Sequence, residues 1–227
     1  MASERAAAAP RPVGTWVENV KTRELARLRV SPDETGGERL TSDLWLRPGA
    51  AVLGEHVHDS IDERFTVIAG ELAVRIDGVE SSAGPGEAVE VPAGTGHDWW
   101  NASGDVVHAR VDVEATPGSG PMAARFLEMI EVAFGLANSG HTNEEGRPGP
   151  LWLAAFAMDY RDVLRLSKPP LWVQRALFEP LAALGRRRGC DPGAAWLHGP
   201  DSPCVVPEPA GFSGPDSGWM PPRAGDG

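Results

Sequence analysis

The sequence predicts a mainly β fold, a small antiparallel barrel, carrying a C-terminal α-helical extension. Three observations lead there. Between residues 14 and 113 the chain is cut into short segments rich in Val, Ile, Leu, Thr and Trp, separated by Gly, Pro and Asp at the spacing of all-β folds. From Pro121 onward apolar residues recur instead at three- and four-residue steps, the period of helices. Beyond residue 188, Pro, Gly, Ser and Asp dominate.

Taken in order, residues 1–12 are rich in Ala, Pro and Arg and read as a flexible tail. The barrel is expected over 13–117, with strands at 15–20, 26–30, 40–46, 51–58, 64–69, 72–76, 88–91, 97–101 and 106–113. That many strands in so short a stretch suits a sandwich or barrel. On the last of them Val107, Ala109, Val111 and Val113 read as the core face, which leaves His108, Arg110 and Asp112 facing solvent or an interface.

A helical extension is expected over 121–188. Pro121 sits where a first helical turn tolerates proline, and Met122, Phe126, Met129, Ile130, Ala133 and Ala137 form one apolar stripe. A second helix is read over 151–166, apolar on nearly all sides at its start and so expected to be buried among several neighbours. A third starts at Leu171, with Pro180 expected to kink or divide it. Residues 189–227 hold too little apolar surface to offset the entropy of folding and are expected to be disordered.

Composition narrows the function. Lys and Arg number 21 against 32 Asp and Glu, a net charge of -11, so a nucleic-acid backbone would be repelled by most of the surface. The triplet Arg186-Arg187-Arg188 reads as a helix end whose cations complement the dipole. Two cysteines, Cys190 and Cys204, suggest neither a disulfide framework nor a zinc knot. The longest apolar run, residues 151–158, is far below the ~20 residues that cross a bilayer, and the N-terminus lacks a secretory pattern, so a cytoplasmic protein is expected.

Two segments carry the chemistry. In the first, His56-Val57-His58 is followed after four residues by Glu63 and after six more by Gly70. Side chains alternate along a strand, so His56 and His58 share a face within a rise of about 6.6 Å. Glu63 would add an anionic oxygen from the next stretch of chain. The second segment runs Gly86, five residues, Pro92, one residue, Gly94, two residues, His97, three residues, Asn101. Its Pro and Gly build a tight corner before His97. Mixed nitrogen and oxygen ligation suits a divalent transition metal, Fe, Mn, Ni, Zn or Cu, better than calcium or magnesium.

These paired segments resemble the two sequence motifs of the cupin superfamily in its small single-barrel form. The fifteen residues between Gly70 and Gly86 fit the short spacing of many microbial members. One departure is that Gly49 precedes the first histidine by one residue more than the family's pattern. The resemblance covers roughly 40–113. It implies a jelly-roll, double-stranded β-helix barrel, one divalent metal ion held by His56, His58, Glu63 and His97, and a homodimer.

On that basis the expected function is a metal-dependent enzyme acting on a small organic molecule, an oxygenase in the first place, with Glu63 also accepting a proton as a catalytic residue. Redox-free isomerase, cyclase or hydrolase chemistry and a non-catalytic ligand-binding or sensing role are the alternatives. Trp99 and Asn101 share the strand face of His97 and are the expected substrate-pocket residues. Arg64 is expected on the opposite face, paired with a surface acid. Tyr160 is a candidate for the pocket mouth, and His141 and His198 read as surface histidines.

Overall fold

A computed structural model of the chain describes residues 10–52, 54–214 and 216–221. Most of the expected N-terminal tail, residues 1–9, and the last residues, 222–227, lie outside the described residues. The strands, in chain order, are β1 (Trp16–Asn19), β2 (Glu24–Val30), β3 (Arg39–Leu46), β4 (His56–Val57), β5 (Ile61–Ala69), β6 (Leu72–Ile76), β7 (Val79–Ala83), β8 (Ala88–Val91), β9 (His97–Trp100) and β10 (Val107–Ala115). Then come α1 (Met122–Asn138), α2 (Pro150–Asp159), β11 (Arg165–Leu166), α3 (Leu171–Arg187) and β12 (Val205–Val206).

The strands pair antiparallel in two sheets, one of order β12-β1-β2-β3-β10-β5-β8, the other β11-β4-β9-β6-β7. The fold is therefore mainly β, a sandwich of two antiparallel sheets with helices appended. Alternation builds its core. On β10, Val107, Ala109, Val111 and Val113 are buried, as expected, and on β5 Ile61, Glu63, Phe65 and Val67 point inward while Asp62 and Arg64 point out. Inward residues of both sheets, such as Leu28, Leu46, Val67, Leu72 and Val74, pack into one cluster that also takes in Leu127, Val132 and Leu136 of α1.

β5 begins three residues before the expected start, which puts Glu63 in a strand. The 51–58 stretch is mostly not strand; His56–Val57 pair within it, and Ala51 forms an isolated bridge to Trp100. β7 escapes the sequence pattern because its side chains, Val-Glu-Ser-Ser-Ala, are almost all exposed. Its hairpin with β6 turns at Asp77-Gly78, both at positive φ, 48° and 81°.

Two expectations about the helices are corrected. The second helix ends at Asp159, where the chain turns back so that Arg165 and Leu166 add a strand beside β4. Only Ala154 and Ala155 of α2 are fully buried, because its other apolar side chains border α3 and a cavity rather than packed neighbours. Pro180 lies within a continuous α3. No helix of the described residues is long and apolar enough to cross a membrane.

The expectation of disorder over 189–227 is overturned for most of the segment. Leu197 and Cys204 are completely buried, and β12 extends the larger sheet beside β1. Phe212 and Trp219 then pack on the outer face of that sheet. The Trp16 and Phe212 rings meet edge to face at 4.8 Å, and Trp45 Nε1 donates to the Trp219 carbonyl at 3.3 Å. Sparse anchors suffice because the sheet already presents stacked Trp16 and Trp45, 5.2 Å apart, as an apolar landing site. The same cover explains why His108, expected at the surface, is 1% exposed: it stacks on Trp45 at 4.5 Å, and its Nε2 lies 3.0 Å from Asp43 Oδ1.

Candidate metal centre

Strand register brings the four expected ligands together. His56 of β4 stands directly opposite His97 of β9, and His58 follows two residues on, on the same face. Glu63 enters from β5 of the other sheet, so the ligands join the two layers. Gly94, in the corner before β9, donates its N–H to the His58 carbonyl at 2.8 Å and so ties the two motifs at the backbone. Gly70 closes the far end of β5 with φ at +79°. A Cβ there would lie 2.8 Å from the Val106 carbonyl oxygen, so the position requires glycine.

All four side chains are at most 6% exposed, and one ligand atom from each lies within 4.8 Å of the others. Bonds of about 2.0–2.2 Å to a central ion nearly bridge that span. Each imidazole is oriented from behind. His56 Nδ1 faces the Gly54 carbonyl at 3.0 Å, His58 Nδ1 the Val163 carbonyl at 2.7 Å, and His97 Nδ1 the Thr95 carbonyl at 3.1 Å. A carbonyl only accepts, so Nδ1–H donates in each case and every Nε2 is left with a lone pair.

The consequence is a test of fit. His97 Nε2 and Glu63 Oε2 are 2.8 Å apart, both buried, and without a conventional hydrogen bond. Two acceptors at that distance need a positive charge between them, either a proton or a metal ion. The residues therefore fit a metal.

Their proton affinities follow the same logic. Burial, followed by the neighbouring His58 and His97, lowers His56 from 6.5 to about 3. Burial also lowers His58, against the opposing pull of Glu63. For His97 burial is outweighed by the Glu63 carboxylate, and its pKa is raised. Burial alone would raise Glu63, yet the surrounding imidazoles, His58 foremost, hold it down at about 2. The carboxylate is thus ionised and two of the imidazoles neutral, the forms a metal binds.

The cluster borders an apolar cavity of about 130 Å³, walled by Phe65, Trp99 and Val111 of the barrel and by Phe126, Met129 and Phe134 of α1. A second cavity of about 420 Å³ continues under α2 and α3. Trp99 lines both. Asn101 does not line either. Its Nδ2 donates to the Leu46 and Asp105 carbonyls, and its Oδ1 accepts from Ser103, so its amide is spent on the turn after β9. Tyr160 is fully buried rather than at a mouth; its hydroxyl donates to Glu128 at 3.0 Å. Arg64 pairs with Glu90 at 2.9 Å on the outer face, as expected.

One cavity residue falls outside the sequence expectation. Glu24 lies just before the segment expected as strand, yet it shares the parity of Ala26 and Leu28, the inward face of β2. That parity was the available signal.

Residues 45–114 match the family model described as "Cupin domain". Among solved structures, the chain is 26% identical to the cupin domain of an XRE family transcriptional regulator from Enterobacter cloacae, covering 40% of this chain and 96% of that one, with a TM-score of 0.37. It is 31% identical to the protein TT1209 from Thermus thermophilus, covering 36% and 76%, TM-score 0.33. It is 25% identical to a cupin-superfamily sugar phosphate isomerase from Silicibacter pomeroyi, covering 50% and 72%, TM-score 0.38. No curated protein matches the sequence.

Proposed function

Because this chain is a cupin-superfamily protein with a C-terminal helical region, we propose that it is a metal-dependent enzyme acting on a small organic molecule, and specifically an oxygenase. The observation that carries the reading is the meeting of three imidazoles and a carboxylate, all buried, at the wall of an apolar cavity. His56, His58, Glu63 and His97 would hold one divalent ion. When bound, such an ion supplies Lewis acidity and, if redox-active, a place where substrate and O2 are brought together.

The chain's own residues account for the remaining requirements. The carbonyls of Gly54, Val163 and Thr95 keep each imidazole turned toward the centre. Glu63, whose Oε2 lies 2.8 Å from His97 Nε2 and 3.7 Å from His58 Nε2, would also accept a proton from a bound substrate. Trp99, Phe126, Met129 and Leu164 exclude water from the cavity. We further propose that the barrel, 13–117, and the helical segment, 121–188, work as one unit. Leu153 and Phe156 of α2 and Phe178 of α3 line the larger cavity, and the Val163 carbonyl reaches His58.

The test is oxygen consumption by protein reconstituted in turn with Fe, Mn, Ni and Cu against a panel of enols and aromatic alcohols. Metal-dependent oxygen uptake with at least one substrate class is expected. Turnover that persists anaerobically would replace the oxygenase reading with isomerase, cyclase or hydrolase chemistry. Ligand binding without any turnover would replace it with a sensing role.

A further inference from the structure

Among the described acids that line the two apolar cavities, Glu24 is engaged neither by the metal centre nor by an ion pair. Glu24, on the inward face of β2, is 7% exposed and lines both cavities, as do Val52, His56, Trp99, Met129 and Leu164. It thus stands where the chamber beside the cluster meets the larger one beneath the helices. Among the described residues its carboxylate forms no ion pair.

The other charges facing these chambers are committed elsewhere. Arg11, the cation lining the smaller one, gives Nε to both carboxylate oxygens of Glu131 and Nη2 to Oε2 at 2.8 Å. His58 and Glu63 face each other within the cluster, beside His56. In the larger chamber, Arg165 is bidentate on Asp59 and Asp162 pairs with Arg125, while Arg161 and Arg175 are exposed at its outer edge. A polar group beside Glu24 is the Thr22 hydroxyl. It lies beside the carboxyl but has no well-directed hydrogen bond, and Gly146 packs close to its methyl, where an added Cβ would lie 2.8 Å from Thr22 Cγ2.

A buried carboxyl in such a wall is costly unless something binds to it. We propose that Glu24 is the polar anchor of the ligand pocket, receiving a hydrogen-bond donor, an ammonium group by preference, on a molecule whose apolar body lies against Trp99, Met129 and Leu164. This deepens the small-molecule reading above and rests on it. It assigns a substrate class, one with an apolar body and an amine or hydroxyl, and it disfavours a carboxylate at that end. Burial, only partly offset by Thr22, raises the Glu24 carboxyl from 4.5 to about 7, as expected of a group awaiting a partner.

The experiment is calorimetric titration at pH 8 of the full-length, metal-loaded protein and of Glu24→Gln with 3-phenylpropylamine, 3-phenylpropanol and 3-phenylpropionate, three probes of one apolar body. The amine should bind the parent protein tightest and the carboxylate weakest. Glu24→Gln should weaken the amine about tenfold or more, the scale of a charge-assisted hydrogen bond, and the alcohol far less. Equal losses for amine and alcohol would overturn the assignment, as would a carboxylate that binds the parent best or the binding of no probe at all. The ranking on the parent alone decides the matter if the variant does not fold. Repeating it after chelation separates the two proposals: an amine preference that survives metal removal supports Glu24 whatever the fate of the oxygenase reading.

Discussion

Glu24→Gln also makes a thermodynamic prediction that needs no ligand. A carboxyl whose folded pKa is raised binds its proton more tightly in the native state than in the unfolded one. Its contribution to stability is therefore fully present below 4.5 and is lost as pH rises through the native value of about 7. Moving from 4.5 to about 7 corresponds to about 3 kcal/mol, at 1.36 kcal/mol for each tenfold change in proton affinity. The glutamine variant does not titrate, so the stability of Glu24→Gln relative to the parent should climb by about 3 kcal/mol between pH 4.5 and pH 8, whatever constant cost the buried amide adds. Urea denaturation of both proteins in the presence of a chelator, followed by tryptophan fluorescence at several pH values, measures this difference. Parallel pH profiles would refute the reasoning, because they would mean that the carboxyl is hydrated in the native protein.

Three further outcomes are expected. Gly70→Ala should destabilise by at least about 1–3 kcal/mol, since it meets both left-handed strain and the Val106 carbonyl, and clearly more than Gly78→Ala, which at φ +81° finds nothing within 4 Å; denaturant midpoints compare the two. Glu131→Ala should cost about 3–5 kcal/mol by leaving the Arg11 guanidinium buried and the Gly199 N–H unpaired, and the double replacement Arg11→Met with Glu131→Leu should recover much of the loss. Burial pushes the Cys204 thiol up to about 12, so it should resist Ellman's reagent at pH 8 in the native protein and react once urea is added; fast native reaction would show that the C-terminal segment does not cover it.

The cluster that fits a metal was legible in the sequence because its chemistry is written in residue type and spacing. Strand parity put His56 and His58 on one face, and Pro92 and Gly94 announced the corner before His97. Asn101 misled for the same reason. It has the inward parity of His97, but its amide answers the local demand of the turn that follows. β7 was hidden because an exposed edge strand needs no apolar face, although Asp77-Gly78 carried the hairpin signal. What eluded the sequence most was the C-terminal segment. Average composition describes disorder well, yet order here comes from a few residues: Leu197 packs against Gly135 of α1, and Cys204, Phe212 and Trp219 meet a surface made by β1 and β3 more than 150 residues earlier. Tertiary partners of that kind are invisible to any local window.

The most direct measurement is metal content by elemental analysis of protein purified without a histidine tag, alongside His58→Ala and His97→Ala. The convergence of the three imidazoles and Glu63 predicts one tightly held transition-metal ion per chain in the parent and its loss in both variants, with the barrel still folded. A parent that takes up none of Fe, Mn, Ni, Zn or Cu on reconstitution, or a His97→Ala protein that keeps its ion, would contradict it.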